Sequence, residues 1–415
     1  MPDPFQKSYP ARADVVIIGA GITGASIAWN LARDSGLDVL VLDSGPKAGG
    51  STSRSAAAFR HQFSSASAIE MSLISGREYR DFSKTFGCEE VFTRNGYLFL
   101  WSRAEDADAA ASRVDFQRER GVPDVEMLGA DAVRRKFPWV DHPELKGASW
   151  CPHDGFLKPD LVASTYLEAA VKRGRTLLQY SEVTGIEVAG GAVRSVTVLG
   201  RHRIETGTVV NAAGPWANAV SQLAGVQIPL TPVKRYLYFT NQLPGEGVPG
   251  WPLTVLDLEV YGRPEHDGLM MGWDLRPAKP SGWDRFPPPT LDAASLNDRI
   301  EPGFGIGPDD YGFEVLSRMA EWIPVVAEKA GLDHASCGYY EVTPDEKAIV
   351  SWDPRVRGLL HAAGFSGHGV MHAPATGRLV ADMILGRPAP IDLKALSLDP
   401  LLRNEERDDP ERMVI

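Results

Sequence analysis

An α/β domain built on a parallel sheet, carrying an inserted and mostly antiparallel β domain, is the fold class this sequence predicts. Three observations predict it. The chain opens on a strand, a glycine turn, a helix and a second strand (residues 14–43). Small-residue turns that open onto helices recur in the middle (207–225) and near the end (364–385). Between these pieces lie two stretches of alternating residue type, about 90–150 and 230–338, which read as a different domain.

The opening element sets the first half of the prediction. "VVII" (15–18) is a β-branched run suited to a strand buried on both faces. Gly19-x-Gly21-x-x-Gly24 follows, then a helix-spaced apolar face at Ile27, Ala28 and Leu31. "DVLVLD" (38–43) is the next strand, and its Asp43 lies 19 residues after Gly24. The first glycine permits the tight turn, the second lets backbone approach a pyrophosphate, and the third lets helix and strand pack closely. An anion rests on the positive helix N-terminus, and the acid takes ribose hydroxyls. This context makes the segment a Rossmann-type dinucleotide-binding unit, with Gly19, Gly21, Ile22, Thr23, Gly24, Asp43 and Ser44 as candidate contacts. The small, hydroxylated, Arg-containing loop 48–63 is suited to wrap the diphosphate and flavin end of a bulkier cofactor, or is a plain surface loop. Its candidate contacts are Gly50, Ser51, Thr52, Ser53, Arg54 and Ala58.

Next come "LQYSEVTGIEVAGGAVRSVTVLG" (178–200), read as antiparallel strands around a Gly-Gly turn, and "GTVVNAAGPWANAVSQLAG" (207–225), read as strand, Gly-Pro turn and helix. They contribute Val183, Ala213, Gly214 and Trp216 as candidate cofactor contacts. The stretch 90–150 holds the strand "GYLFLW" and a helix-like "EDADAAASRVDFQRERG"; 230–338 holds "VKRYLYFT", "LTVLDLEVYGRP" and "GLMMGWD", with a Pro-rich loop at 277–290. The expected division is 1–90, 150–230 and 339–415 for the discontinuous nucleotide-binding domain, and 91–149 and 231–338 for the substrate domain.

Composition bounds the rest. A chain of 415 residues predicts two or three domains, and 43% hydrophobic with 23% charged residues is ordinary for a globular protein. A formal charge of −11 argues against a nucleic-acid partner. Cys88, Cys151 and Cys337 form neither a metal spacing nor a disulfide framework, so no metal is expected. The N-terminus has no apolar core of a secretory signal, and no run approaches the roughly 20 apolar residues of a membrane span. A cytoplasmic location is expected.

Five segments, in order over nearly the whole chain, are the opening unit, "GSTSRSAAAFR", "NAAGPWA", "YYEVTPDEKAIV" and "GFSGHGVMHAPATGRLVADMI". Together they resemble the D-amino acid oxidase superfamily of flavoproteins, and within it the sarcosine oxidase β-subunit branch, beside monomeric sarcosine oxidase and glycine oxidase. The resemblance implies FAD and oxidation of a C–N bond in a small amine or N-alkyl amino acid by hydride transfer to the flavin. It implies that the turn Gly364, Ser366, Gly367, Gly369 and Val370 packs beside the flavin ring, with Gly338 and Tyr340 nearby. Arg60 falls on the position of an arginine that clamps a substrate carboxylate, or touches the cofactor phosphates, for which Arg54 is the better candidate. His368 is either catalytic or a satisfied neighbour. Tyr236 and Tyr261 are hydroxyl donors across the flavin, or core tyrosines.

Three positions depart from the resembling enzymes. Met371 stands where a second clamping lysine is expected. Met270 stands near the lysine linked to O2 activation. The cysteine that links flavin covalently would align at Gly338, one residue from Cys337, so a non-covalent FAD is expected. The acceptor is O2, a quinone or a partner subunit. A flavin dehydrogenase for a cyclic or D-amino acid, and a flavoprotein subunit or assembly protein with little catalysis of its own, stay open as alternatives. An NAD(P) reductase is disfavoured by the single dinucleotide fingerprint.

Overall fold

The computed structural model describes residues 8–273, 296–408, 411 and 413. The Pro-rich stretch 277–290 lies outside the described residues. The expected fold class is what forms. Strand β1 (Val15–Ile18), helix α1 (Ile22–Asp34) and strand β2 (Val39–Leu42) take the predicted places, and both strands are wholly buried. They belong to a six-stranded sheet in the order Ile349–Trp352, Leu359–Ala363, Val209–Asn211, β1, β2, Thr176–Leu178. All pairings are parallel except the one between Ile349–Trp352 and Leu359–Ala363. The nucleotide-type pieces from the start, middle and end of the chain are therefore neighbouring strands. Their small-residue turns leave from the same carboxyl edge, where ligands of open α/β sheets bind. One expectation is corrected here: residues 176–178 extend the parallel sheet, and the antiparallel strands begin only at Val183.

Helix α1 packs between helices Pro159–Lys172 and Gly369–Ile384, and is buried almost all round. The approach to the latter is close: a side-chain carbon at Gly377 would lie 2.7 Å from Asn30 Nδ2. Helix Gly369–Ile384 starts inside the glycine turn, ahead of the "APATG" run, and keeps Pro374 within it. A proline lacks the N–H that would bond the fourth residue back. The carbonyl so released, that of Val370, accepts the Tyr79 hydroxyl at 2.5 Å.

The second layer is an eight-stranded sheet in the order Leu332–Val342, Thr231–Thr240, Gly268–Trp273, Val260–Glu265, Leu253–Leu256, Tyr97–Trp101, Gly147–Cys151, Glu126–Gly129. Every pairing is antiparallel save that of Leu253–Leu256 with Tyr97–Trp101. The expected divisions at 149/150 and 338/339 fall inside two of these strands, which stay whole in this sheet. Side chains alternate across its two faces. Arg235 and Leu237 turn toward the nucleotide domain, while Tyr236 and Tyr238 join the core on the other side. Among the described residues no helix is long and apolar enough to cross a membrane.

Candidate functional site

A groove of about 710 Å³ runs between the carboxyl edge of the parallel sheet and the inner face of the eight-stranded sheet. At its first end lie Gly19, Gly21, Ile22 and Thr23. Gly19 adopts φ +111°, a conformation that favours glycine, and a side chain there would run into the Ala212 backbone. Gly24 is below the groove surface, where a side chain would meet the Gly19 carbonyl, so its role is packing. The N-cap residue of helix α1, Gly21, offers no capping side chain, and its first turn carries no acid. Its positive end is thus left for an anion.

Asp43 stands at the end of β2 on the groove wall, beside Ser44. Its carboxylate accepts from Ala20 N at 2.6 Å and Gly45 N at 2.7 Å, which ties the two loops together. Burial raises its pKa, and those two N–H groups oppose the rise. The loop 48–63 folds as a single 3₁₀ turn (Ser51–Arg54) and a two-residue strand (Ala58–Phe59). Thr52 Oγ1 accepts from Ile22 N at 3.0 Å, and Ser51 donates to the Tyr339 carbonyl at 2.7 Å, so the loop bridges α1 to the second layer. Gly50, Ser51, Thr52 and Arg54 line the groove; Ser53 is exposed and does not. Arg54 bonds the carbonyls of Gly49 and Gly50 and pairs with Asp298 at 3.0 Å. Val183, Ala213, Gly214 and Trp216 also line the groove.

At the far end are Gly338, Tyr340, Gly367, Gly369, Val370 and Tyr261. Gly367 adopts φ +96°, and a side chain there would lie 2.6 Å from the Tyr340 ring. Gly364 and Ser366 are not on the surface of the groove. Gly364 abuts Thr343, and the Ser366 hydroxyl accepts from Thr343 N at 3.3 Å, so these two shape the turn from beneath. Helix Gly369–Ile384 also starts without a capping side chain or an acid in its first turn. Both ends of the groove thus meet a positive helix terminus.

A small chamber of about 40 Å³ adjoins this end, sharing Ser55, Ala56, Tyr261, Tyr340, Gly367 and Val370 with the groove. Its remaining lining includes Ala58, Arg60, Tyr97, His368 and Met371. Arg60 is 1% exposed. Its guanidinium lies over the rings of Phe63, Phe99 and Tyr97, at 4.6, 5.4 and 5.9 Å from the centroids. Nη2 donates to the Met413 carbonyl and lies 3.3 Å from His368 Nε2, whereas Nε and Nη1 have no partner among the described residues. A buried cation facing a chamber with free donors is suited to an anion, because leaving it unpaired is costly. Met371 is 6% exposed and presents an apolar thioether to the same space.

Tyr236 is a correction. It lines neither cavity and stacks on Phe304 at 4.5 Å, because strand alternation turns it away from the groove. Tyr261 lines both the groove and the chamber, and burial, reinforced by the neighbouring Tyr340, keeps its phenol protonated far above the usual range. Met270 packs in the cluster that contains Leu237 and Tyr261. Cys337 belongs to the core on the other face of the sheet from Gly338.

Sequence reasoning missed Arg235, Tyr97, Glu341 and Phe365. Arg235 lines the groove 5.4 Å from the Tyr340 ring centre. Glu341 also lines it; Oε1 accepts from Phe365 N at 3.3 Å, and Oε2 is shielded with no partner among the described residues. Burial raises its pKa to about 8, so the acid is mostly neutral near neutrality. The alternation in "VKRYLYF" carried the signal for Arg235, and a lone acid between apolar residues in "YYEV" that for Glu341.

Comparison with known proteins agrees with this geometry. The family model described as FAD dependent oxidoreductase matches residues 14–383. The chain is 30% identical to FAD-dependent oxidoreductase domain-containing protein 1 of Xenopus laevis, over 91% of this chain and 80% of that protein. It is 28% identical to the mitochondrial sarcosine dehydrogenase of Homo sapiens over 92% of this chain, and spans only 41% of that protein's length. Among solved structures, the L-proline dehydrogenase of P. horikoshii superposes with a TM-score of 0.83 at 26% identity, covering 96% of this chain and all of the other.

Proposed function

Since the chain belongs to the family of FAD-dependent oxidoreductases, we propose that it oxidises the C–N bond of a small secondary or tertiary amine that carries a carboxylate, an N-alkyl amino acid. The observation that carries this reading is Arg60: a buried guanidinium whose Nε and Nη1 have no partner among the described residues, in a chamber opening onto the cofactor groove. The sarcosine and L-proline dehydrogenases named above both act, by their names, on secondary amino acids, and this supports the same class.

The residues fit FAD. The start of α1 would receive the diphosphate, Asp43 the adenosine ribose, and the loop 50–54 would cover them. The start of helix Gly369–Ile384, without a capping side chain or an acid in its first turn, would offer backbone N–H groups to negative charge that develops on the bound cofactor. When bound, FAD supplies the two-electron acceptor for the hydride from the substrate α-carbon. The chain's part is to orient and to exclude water. Arg60 grips the carboxylate, and the rings of Tyr97, Tyr261 and Tyr340 wall the chamber. The buried phenols of Tyr97 and Tyr261 stay protonated, so these two donate hydrogen bonds and do not act as bases. The position of Cys337 on the opposite face of its strand from Gly338 supports a non-covalent flavin. Met270, at the place of the O2-linked lysine in the resembling enzymes, favours a quinone or a partner protein over O2 as acceptor. Three free cysteines fit a reducing compartment such as the cytoplasm.

A cyclic amino acid is the second reading, favoured by the likeness to L-proline dehydrogenase and by the apolar Met371 in the chamber wall. The test of the anchor is Arg60→Ala. It should raise the KM of a carboxylate substrate by about 10- to 100-fold, the worth of a charged hydrogen bond, and leave the matching amide nearly unmoved. Equal losses for both substrates would remove Arg60 from the role.

A further inference from the structure

Arg60 is not presented to the chamber as a free fork. A guanidinium can grip a carboxylate with two parallel bonds along two edges, Nε with Nη2 and Nη1 with Nη2. Both edges need Nη2. In this chain Nη2 has two partners, the Met413 carbonyl and His368 Nε2; a guanidinium only donates, so with the His368 proton on Nδ1 both Nη2 hydrogens are taken. His368 is held at the start of helix Gly369–Ile384, its ring edge-on to Phe63 at 5.1 Å. The Met413 carbonyl comes from the C-terminal segment.

That segment is latched. Glu411, 4% exposed, accepts from the Ser64 hydroxyl at 2.7 Å, Ser65 N at 3.0 Å, the Ser65 hydroxyl at 2.8 Å and Met413 N at 2.8 Å. Its charge lies at the N-terminus of helix Ala66–Phe86, which favours an anion. Upstream, buried Arg407 pairs with Asp345, and Lys347 Nζ donates to the Asp408 carbonyl at 2.5 Å. The chamber beside Arg60 has space for about three water molecules in this arrangement.

We propose that the C-terminal segment is a specificity element: the Met413 carbonyl, positioned by Glu411, competes with the substrate carboxylate for Arg60. While latched, Arg60 offers Nε or Nη1 singly, and an acceptor binds through one bond. A two-pronged grip on a carboxylate requires the Met413 carbonyl to leave. Glu411 and Met413 are positioning groups acting through Arg60. The proposal rests on the reading of Arg60 as the carboxylate anchor.

The test uses the holoprotein and two ligands without an oxidisable amine, propionate and propionamide, with dissociation constants read from perturbation of the visible flavin spectrum. In Glu411→Ala, propionate should bind about fivefold tighter, the worth of one net hydrogen bond no longer displaced, and propionamide should not change. Glu411→Gln turns its NH2 toward either Ser65 N–H or Met413 N–H, so it should loosen the latch and tighten propionate by less than Glu411→Ala does. Propionate unchanged or weakened in Glu411→Ala overturns the proposal, as does an equal gain in Glu411→Gln, which would make the effect one of charge alone. Should Glu411→Ala lose its flavin, Ser64→Ala removes one latch bond and carries the same comparison with a smaller gain. Failure of the anchor itself is distinguishable: wild type would then show no preference for propionate over propionamide that Arg60→Ala removes.

Discussion

Replacing Asp43 by alanine separates two roles that this carboxylate combines. In the protein alone it braces two loops through Ala20 N and Gly45 N. Ala20 is wholly buried, so its N–H would be left without a partner, at a cost of about 1–3 kcal/mol. Gly45 is only part-buried, so losing its bond to Asp43 costs less. The brace alone therefore predicts a loss of about 1–3 kcal/mol in stability, equal with and without cofactor. If Asp43 also receives the adenosine ribose, binding loses a charge-assisted hydrogen bond worth roughly 1.5–3 kcal/mol. The FAD dissociation constant should then rise about 10- to 150-fold. The assay is titration of FAD into apoprotein, paired with thermal melts of the apo and holo forms. The account expects apo Asp43→Ala to melt lower than apo wild type, and the gap to widen when FAD is present. Equal gaps with an unchanged dissociation constant would refute the ribose assignment and leave only the brace.

Met371→Lys places a second cation beside Arg60, so flavin reduction by sarcosine should improve relative to bulkier or less anionic amines; stopped-flow reduction of wild type and variant compares them, and an unmoved preference contradicts the reasoning about this position. Glu341 keeps its proton in the folded protein up to about pH 8, against an ordinary value of 4.5. Between those values the unfolded chain binds fewer protons, so wild-type stability should fall as pH rises, by at most about 1.4 kcal/mol per unit. Glu341→Gln should lack that slope, and urea denaturation at several pH values in this window checks it; parallel profiles for the two proteins would rule out the buried neutral acid.

The opening strand, turn, helix and strand were legible because every level agrees there: β-branched strands, glycines at the turn, an apolar helix face and an acid at the next strand end. The groove was legible wherever a glycine or hydroxyl turn carries it. What the sequence conceals depends on partners distant along the chain. Tyr236 and Arg235 are adjacent in a strand whose two faces cannot be told apart until its neighbours are placed, so one was favoured wrongly and the other missed. The burial of Arg60 depends on aromatic rings up to 39 positions away at Phe99, and its closest polar partner is 353 positions away at Met413. Gly364 and Ser366 were expected as contacts from the family resemblance, but their surroundings, centred on Thr343, set them beneath the surface.

The most direct measurement of the central claim is anaerobic reduction of the purified holoprotein by a panel of amines, followed by bleaching of the flavin absorbance. It reads the reductive half-reaction without assuming an acceptor. The account predicts bleaching by secondary or tertiary amines that bear a carboxylate, N-alkyl or cyclic, with much slower bleaching by their amides. A flavin left oxidised by every carboxylate-bearing amine, or bleached equally by amine and amide forms, would contradict it.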